Sequence, residues 1–175
     1  RSVLKIPMDP FNVLRNLTAE QRAPIYFLYG PERFLVTEIV DRLSQLLVTE
    51  DNRDFNFEAF DGATSQSTDW INACRTLSFF GGDKLVVAHG IDTANWTDGN
   101  TASFLAYLKE PVAETCLVLT SPKADKKRKI YKALCALPGA IECVAPNEGA
   151  LSPWLKQRAK SRGYNLTADG AERMV

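Results

Sequence analysis

Short apolar runs alternate along the chain with stretches whose apolar residues recur every three or four positions. Ile25-Tyr26-Phe27-Leu28-Tyr29 is apolar without interruption and ends at Gly30-Pro31. That pattern predicts a strand buried on both faces, as parallel sheets require. From Glu32 to Val48, Leu35, Val36, Ile39, Val40, Leu43, Leu46 and Leu47 fall at helical spacing. Phe55 to Phe60 alternates strictly, which predicts a strand with one wet face at a sheet edge. Three more strands are predicted at Lys84–Ala88, Thr115–Thr120 and Ala140–Val144. Helices are predicted to start at Asp9-Pro10, to run from Ser67-Thr68-Asp69 to about Thr76, from Ala102 to Lys109, and from Lys126 to Leu137.

Strands that alternate with helices at this spacing imply an α/β fold: a five-stranded parallel sheet flanked by helices. After Pro146 the pattern changes. Glu148 to Gly163 reads as a helix, and Thr167-Ala168-Asp169 starts another with no strand between them. The expected organisation is an α/β domain over residues 1–145 and the beginning of a small helical domain over 146–175.

Composition narrows the class. Apolar residues make up 45% and charged residues 24% of the 175 positions, which excludes a disordered, collagen-like or coiled-coil chain. No apolar run is long enough to span a bilayer, and the first residues hold none of signal-peptide length. The 21 basic and 21 acidic side chains cancel overall, unlike a dedicated DNA-binding domain. They are unevenly spread, however. Residues 1–119 carry 10 basic and 16 acidic side chains, and residues 120–175 carry 11 and 5. A solvated helix face accounts for the basic excess, and a surface facing a polyanion is the sharper alternative. Cys74, Cys116, Cys135 and Cys143 form no C-x-x-C pair, and with His89 as the single histidine they cannot assemble a usual zinc site. They read as reduced thiols of an intracellular, cytoplasmic protein.

In a doubly wound sheet phosphates are held at the first strand-to-helix turn, here Gly30-Pro31-Glu32-Arg33-Phe34-Leu35-Val36-Thr37. Gly30 and Thr37 match the ends of the phosphate-loop pattern, but Leu35 replaces its second glycine and Val36 its lysine. A β-carbon then stands where backbone donors approach phosphate, and no lysine meets the β/γ charge. An acidic pair for Mg²⁺ is also missing at the end of the third strand, where the chain reads Ala88-His89-Gly90. The expectation is a degenerate nucleotide loop with no cofactor. The competing readings are a plain strand–turn–helix and an active ATPase or nucleotide kinase with a variant loop.

Cys74-Arg75-Thr76-Leu77-Ser78-Phe79-Phe80-Gly81-Gly82 is the most distinctive segment. Adjacent residues point in different directions, so Phe79 and Phe80 do not readily share one core pocket. Either one packs inward while the other covers a neighbouring helix, or the pair forms an exposed wedge for a partner.

These residues, in order with Tyr29–Leu35, Arg53–Asn56, Phe60–Gly62, Lys84–Val87, Leu119–Lys127, Tyr131–Leu134 and Trp154–Ala159, resemble the delta-subunit family of bacterial DNA polymerase III clamp loaders from about Pro24 onward. The resemblance implies an AAA+-like fold with a defunct nucleotide site, followed by the beginning of a lid domain. It implies a non-catalytic subunit of a DNA-directed DNA polymerase holoenzyme that binds and opens the sliding clamp. The clamp-binding stretch maps to Arg75, Thr76, Leu77, Ser78, Phe79 and Phe80, with Arg75 standing where some members have glutamine. Other loader subunits are implied partners, primed DNA an indirect one, and no membrane is. Lys123, Lys126, Lys127, Arg128 and Lys129 are candidates to face DNA. Family members run well past residue 175, so the chain reads as an N-terminal piece. A scaffold for an unrelated protein partner is the remaining alternative.

Overall fold

The computed structural model describes residues 8–78 and 81–145, together with 153, 155, 156, 158–160 and 163. Five strands form one sheet: β1 (Ile25–Tyr29), β2 (Phe57–Asp61), β3 (Lys84–His89), β4 (Thr115–Ser121) and β5 (Ala140–Glu142). Their order is β2-β3-β4-β1-β5, and every pairing is parallel. Ile25 lies opposite Leu117, and Leu85 opposite both Phe57 and Cys116.

Helices cover both faces, and for that reason β1, β4 and most of β3 carry no polar alternation. Ile25, Phe27, Tyr29, Val86, Ala88, Leu117 and Leu119 point into one core, shared with α4 (Ser67–Arg75), α5 (Asp98–Lys109) and α6 (Lys129–Cys135). The intervening Tyr26, Leu28, Leu85, Val87, Cys116 and Val118 are equally buried and point the other way. On that side lies α2 (Arg33–Leu47), which buries Leu35, Ile39, Leu43 and Leu47 and touches α1 (Pro10–Asn16) and β3. Asp9 caps α1 by accepting from the backbone N–H groups of Phe11 and Asn12, as its Asp-Pro start predicts.

Three elements start two or more residues away from where the sequence pattern puts them, each because polar capping outweighs hydrophobic spacing. The predicted strand over Phe55–Phe60 starts two residues late. Thr49 and Asn52 open a 3-10 turn, the Thr49 N–H donating to Asn52 Oδ1 at 2.9 Å. The turn continues as α3 (Arg53–Asn56), which leaves Phe55 exposed. The strand that follows, β2, is at the sheet edge as expected. Helix α5 begins four residues before Ala102, since Thr97 and Asn100 bond reciprocally as a capping box. Helix α6 begins at Lys129 rather than Lys126, because the Asp125 carbonyl and carboxylate accept from the Arg128 and Lys127 N–H groups and hold a turn there. The predicted fifth strand also ends two residues short of Val144.

All four cysteines are free thiols. Burial pushes Cys116 and Cys143 up to about 12, so each behaves as a small apolar side chain. Among the described residues no helix is long and apolar enough to cross a membrane. The chain divides into two compact units, residues 1–143 and 144–175. In the second, the described residues Pro153, Leu155, Lys156 and Arg158–Lys160 are helical, while the helix expected from Thr167 lies outside the described residues.

Trp70, Trp96 and Phe104 meet edge to face, with ring centroids 5.4–6.1 Å apart, and tie α4 to α5. Phe104→Ala empties the centre of this trio and is expected to cost about 3–5 kcal/mol, read as a lower urea midpoint followed by tryptophan fluorescence.

Candidate functional site

Because all strands run the same way, the turn after β1 and the connection entering β3 lie at opposite edges of the sheet. A six-residue strand such as β3 separates those edges by roughly 20 Å.

At the carboxyl edge, the turn after β1 has the backbone donors of Gly30, Glu32 and Arg33 committed. Gly30 N–H donates to Ser121 O at 3.1 Å, Glu32 N–H to Cys143 O at 3.1 Å and Arg33 N–H to Pro31 O at 3.0 Å, while Pro31 has none to offer. Gly30 sits at φ 134°, and a β-carbon there would lie 2.3 Å from Cys143 O. The close passage of the chain leaving β5 is thus a sufficient reason for this glycine. Leu35 is buried, the Val36 N–H donates back to Glu32 O, and the Thr37 hydroxyl donates to Arg33 O at 3.0 Å. At the end of β3, Ala88 is core and the Gly90 N–H donates to Thr120 Oγ1 at 3.2 Å. The basic run belongs to this same edge. Lys123, Lys126, Lys127, Arg128 and Lys129 are all exposed, with the Arg128 guanidinium 5.7 Å from the Tyr131 ring centre.

At the amino edge the connection from α4 to β3 is anchored from several directions. The last carbonyls of a helix lack intrahelical partners, and here side chains supply them. Lys84 Nζ donates to Ala73 O at 2.8 Å and Thr76 O at 3.3 Å. The Thr115 hydroxyl donates to Cys74 O at 3.0 Å, and Thr76 donates to Asn72 O through both its N–H and its hydroxyl. The third Lys84 donor meets Glu58 Oε1 at 2.5 Å, so a buried ammonium has all three of its hydrogens paired. From the last helical residue onward, Arg75, Thr76 and Leu77 are exposed, Leu77 at 68%. Ser78 donates its hydroxyl to Asn56 Oδ1. Asn56 Nδ2 donates to Gly81 O at 3.0 Å and Asp83 O at 3.1 Å. Asp83 is in turn gripped by Arg22, whose Nη2 lies 2.8 Å from Asp83 Oδ1 and 2.8 Å from Ala113 O.

The structure therefore gathers Arg75, Thr76, Leu77 and Ser78 at one edge and places Gly30–Thr37 and Lys123–Lys129 at the other. Phe79 and Phe80 lie outside the described residues. Sequence pattern misses the three anchors Arg22, Asn56 and Lys84. The one available signal was Lys84, a charged side chain opening an otherwise apolar strand. Lys84→Met leaves the Ala73 and Thr76 carbonyls without their donor and is expected to cost about 1–3 kcal/mol. Glu58→Gln removes charge from a part-exposed partner and is expected to cost less than about 1 kcal/mol. Urea denaturation of both variants checks the order.

Comparison with known proteins follows the same outline. Residues 26–143 match the family described as DNA polymerase III, delta subunit. DNA polymerase III subunit delta of Bacillus subtilis is 27% identical over 173 residues, covering 94% of this chain and 50% of its own length. The solved Bacillus subtilis DNA clamp loader delta protein superposes with a TM-score of 0.76 at 26% identity, over 95% of this chain and 51% of that one. A DNA polymerase III gamma subunit-related protein of Thermotoga maritima matches at 15% identity with a TM-score of 0.52, over 94% of this chain and 56% of that one. A RuvB variant of the same organism matches at 12% with 0.51, over 93% and 50%. These last two share the fold, which is AAA+-like. The chain spans about half the length of its Bacillus relatives, and it belongs to the DNA polymerase III delta-subunit family.

Proposed function

We propose that this chain is the clamp-binding part of a clamp-loader subunit: it binds the sliding clamp and opens it by binding energy, without hydrolysing ATP. The observation that carries this reading is the anchored, solvent-facing α4–β3 connection. Leu77 is exposed there, and the chain leads within two residues into Phe79-Phe80. The clamp-binding residues are Arg75, Thr76, Leu77, Ser78, Phe79 and Phe80, with the two phenylalanines as the wedge.

Fully burying a phenylalanine contributes about 1.5–3 kcal/mol, so the pair supplies ~3–6 kcal/mol. At about 1.4 kcal/mol per tenfold this is two to four decades of affinity. Opening further requires the wedge to favour the sprung ring, since equal affinity for both ring states shifts nothing. ATP acts in this scheme through partner subunits, which assemble the loader around this surface. The committed donors at the turn after β1 support a subunit without turnover of its own; in this proposal the loader works in the cytoplasm. Residues 146–175, which fall in the second compact unit, are the start of the lid. The exposed Lys123, Lys126, Lys127, Arg128 and Lys129 face primed DNA within the assembly, a contact that weakens as salt rises.

Replacing Phe79 and Phe80 together by alanine is expected to abolish clamp capture in a pull-down while leaving the thermal unfolding midpoint unchanged. Retained capture by the double variant overturns the wedge. Isothermal titration with Mg·ATP is expected to give no binding heat. Saturable binding instead favours the nucleotide-dependent enzyme.

A further inference from the structure

We propose that Asn56 is a positioning residue that latches the α4–β3 connection and thereby sets how well it binds its partner. The inference rests on the clamp-binding reading above and assigns a role to a residue outside the contact surface.

Asn56 is wholly buried at the end of α3, just before the edge strand β2. A side-chain amide has two N–H donors and an accepting oxygen, and all of them are used on one target. Both Nδ2 hydrogens go forward to Gly81 O and Asp83 O, and Oδ1 accepts from the Ser78 hydroxyl. One side chain therefore spans both flanks of Phe79-Phe80, across 22 to 27 residues of sequence. The flank after the phenylalanines needs such a restraint. Gly81 and Gly82 are exposed at φ 73° and 80°, and glycine itself scarcely prefers this region over others. The selection comes from outside: Asn56 bonds the carbonyls of Gly81 and Asp83 on either side of Gly82, and a β-carbon on Gly82 would lie at ordinary contact distance, 3.6 Å, from Asn56 Nδ2.

A latch of this kind raises affinity by preparing the bound conformation before encounter. Its loss lowers the binding-competent fraction, so the apparent association rate falls while dissociation changes little. Amide exchange and clamp binding by this chain separate the possibilities. In Asn56→Ala, exchange at Gly81, whose N–H donates to Ser78 O, is expected to rise at least about tenfold while the amides of β1 and β4 stay protected. Clamp affinity is expected to fall about five- to a hundredfold, mostly in association rate. Ser78→Ala removes one of the three bonds at a part-exposed position and is expected to show a smaller change in the same direction. It serves as the measurement if Asn56→Ala fails to fold. By contrast, Phe79→Ala with Phe80→Ala loses binding with exchange at Gly81 unaltered. Wild-type exchange in both the Asn56 and Ser78 variants overturns the latch, as does faster exchange with clamp affinity kept within twofold. A wild-type chain that binds no clamp overturns the underlying reading instead, and exchange, measured without any partner, still decides whether Asn56 holds the connection.

Discussion

One constraint organises this molecule: a parallel sheet buried on both faces sends every strand the same way. All strand-to-helix turns then fall at one edge and all helix-to-strand connections at the other. The turn after β1 and the basic run after β4 share the carboxyl edge, while the α4–β3 connection lies at the amino edge with the other helix-to-strand connections. In doubly wound sheets the carboxyl edge is where ligands are held. A surface at the amino edge is thus free to take a macromolecular partner without interfering with whatever meets the carboxyl edge.

The two edges use their polar groups in opposite ways. At the carboxyl edge, backbone donors of the turn after β1 are spent on the carbonyls of Ser121 and Cys143, so the turn stitches β1 to its neighbours β4 and β5. At the amino edge, side chains are spent on the backbone: Lys84, Thr115, Asn56 and Arg22 all reach carbonyls there. Buried polar groups of this kind are costly unless fully paired, and Lys84 and Asn56 are paired completely. The result is that Thr76, Ser78, Gly81 and Asp83 are each tied by a side-chain bond.

Most of the architecture was legible from pattern, because each central strand is an uninterrupted apolar run and α2 has a clear helical stripe. Legibility failed where one polar residue decides the local conformation. Asn52 turned the start of an alternating segment into a helix, Asn100 pulled α5 back over Asp98-Gly99, and Asp125 delayed α6. That the turn after β1 lacks the second glycine and the lysine of a phosphate loop could be read from the sequence, but not the reason for Gly30, which is the approach of Cys143 from more than a hundred residues away. The site was half legible. Arg75–Phe80 announces itself by composition, whereas Asn56 looks like an ordinary polar position in an alternating strand until the loop it holds is seen in space.

The balance of magnitudes explains why the amino edge is built this way. Two phenylalanines offer ~3–6 kcal/mol, whereas ordering backbone costs about 1–2 kcal/mol per residue. A free connection from Thr76 to Asp83 would consume the whole gain on docking. Folding has already ordered Thr76–Ser78 and Gly81–Asp83 through Lys84, Asn56 and Arg22, and it does so with the free energy of the sheet behind it. On the proposed clamp-binding reading, the hydrogen bonds of Lys84, Asn56 and Arg22 would contribute to binding from beneath the connection.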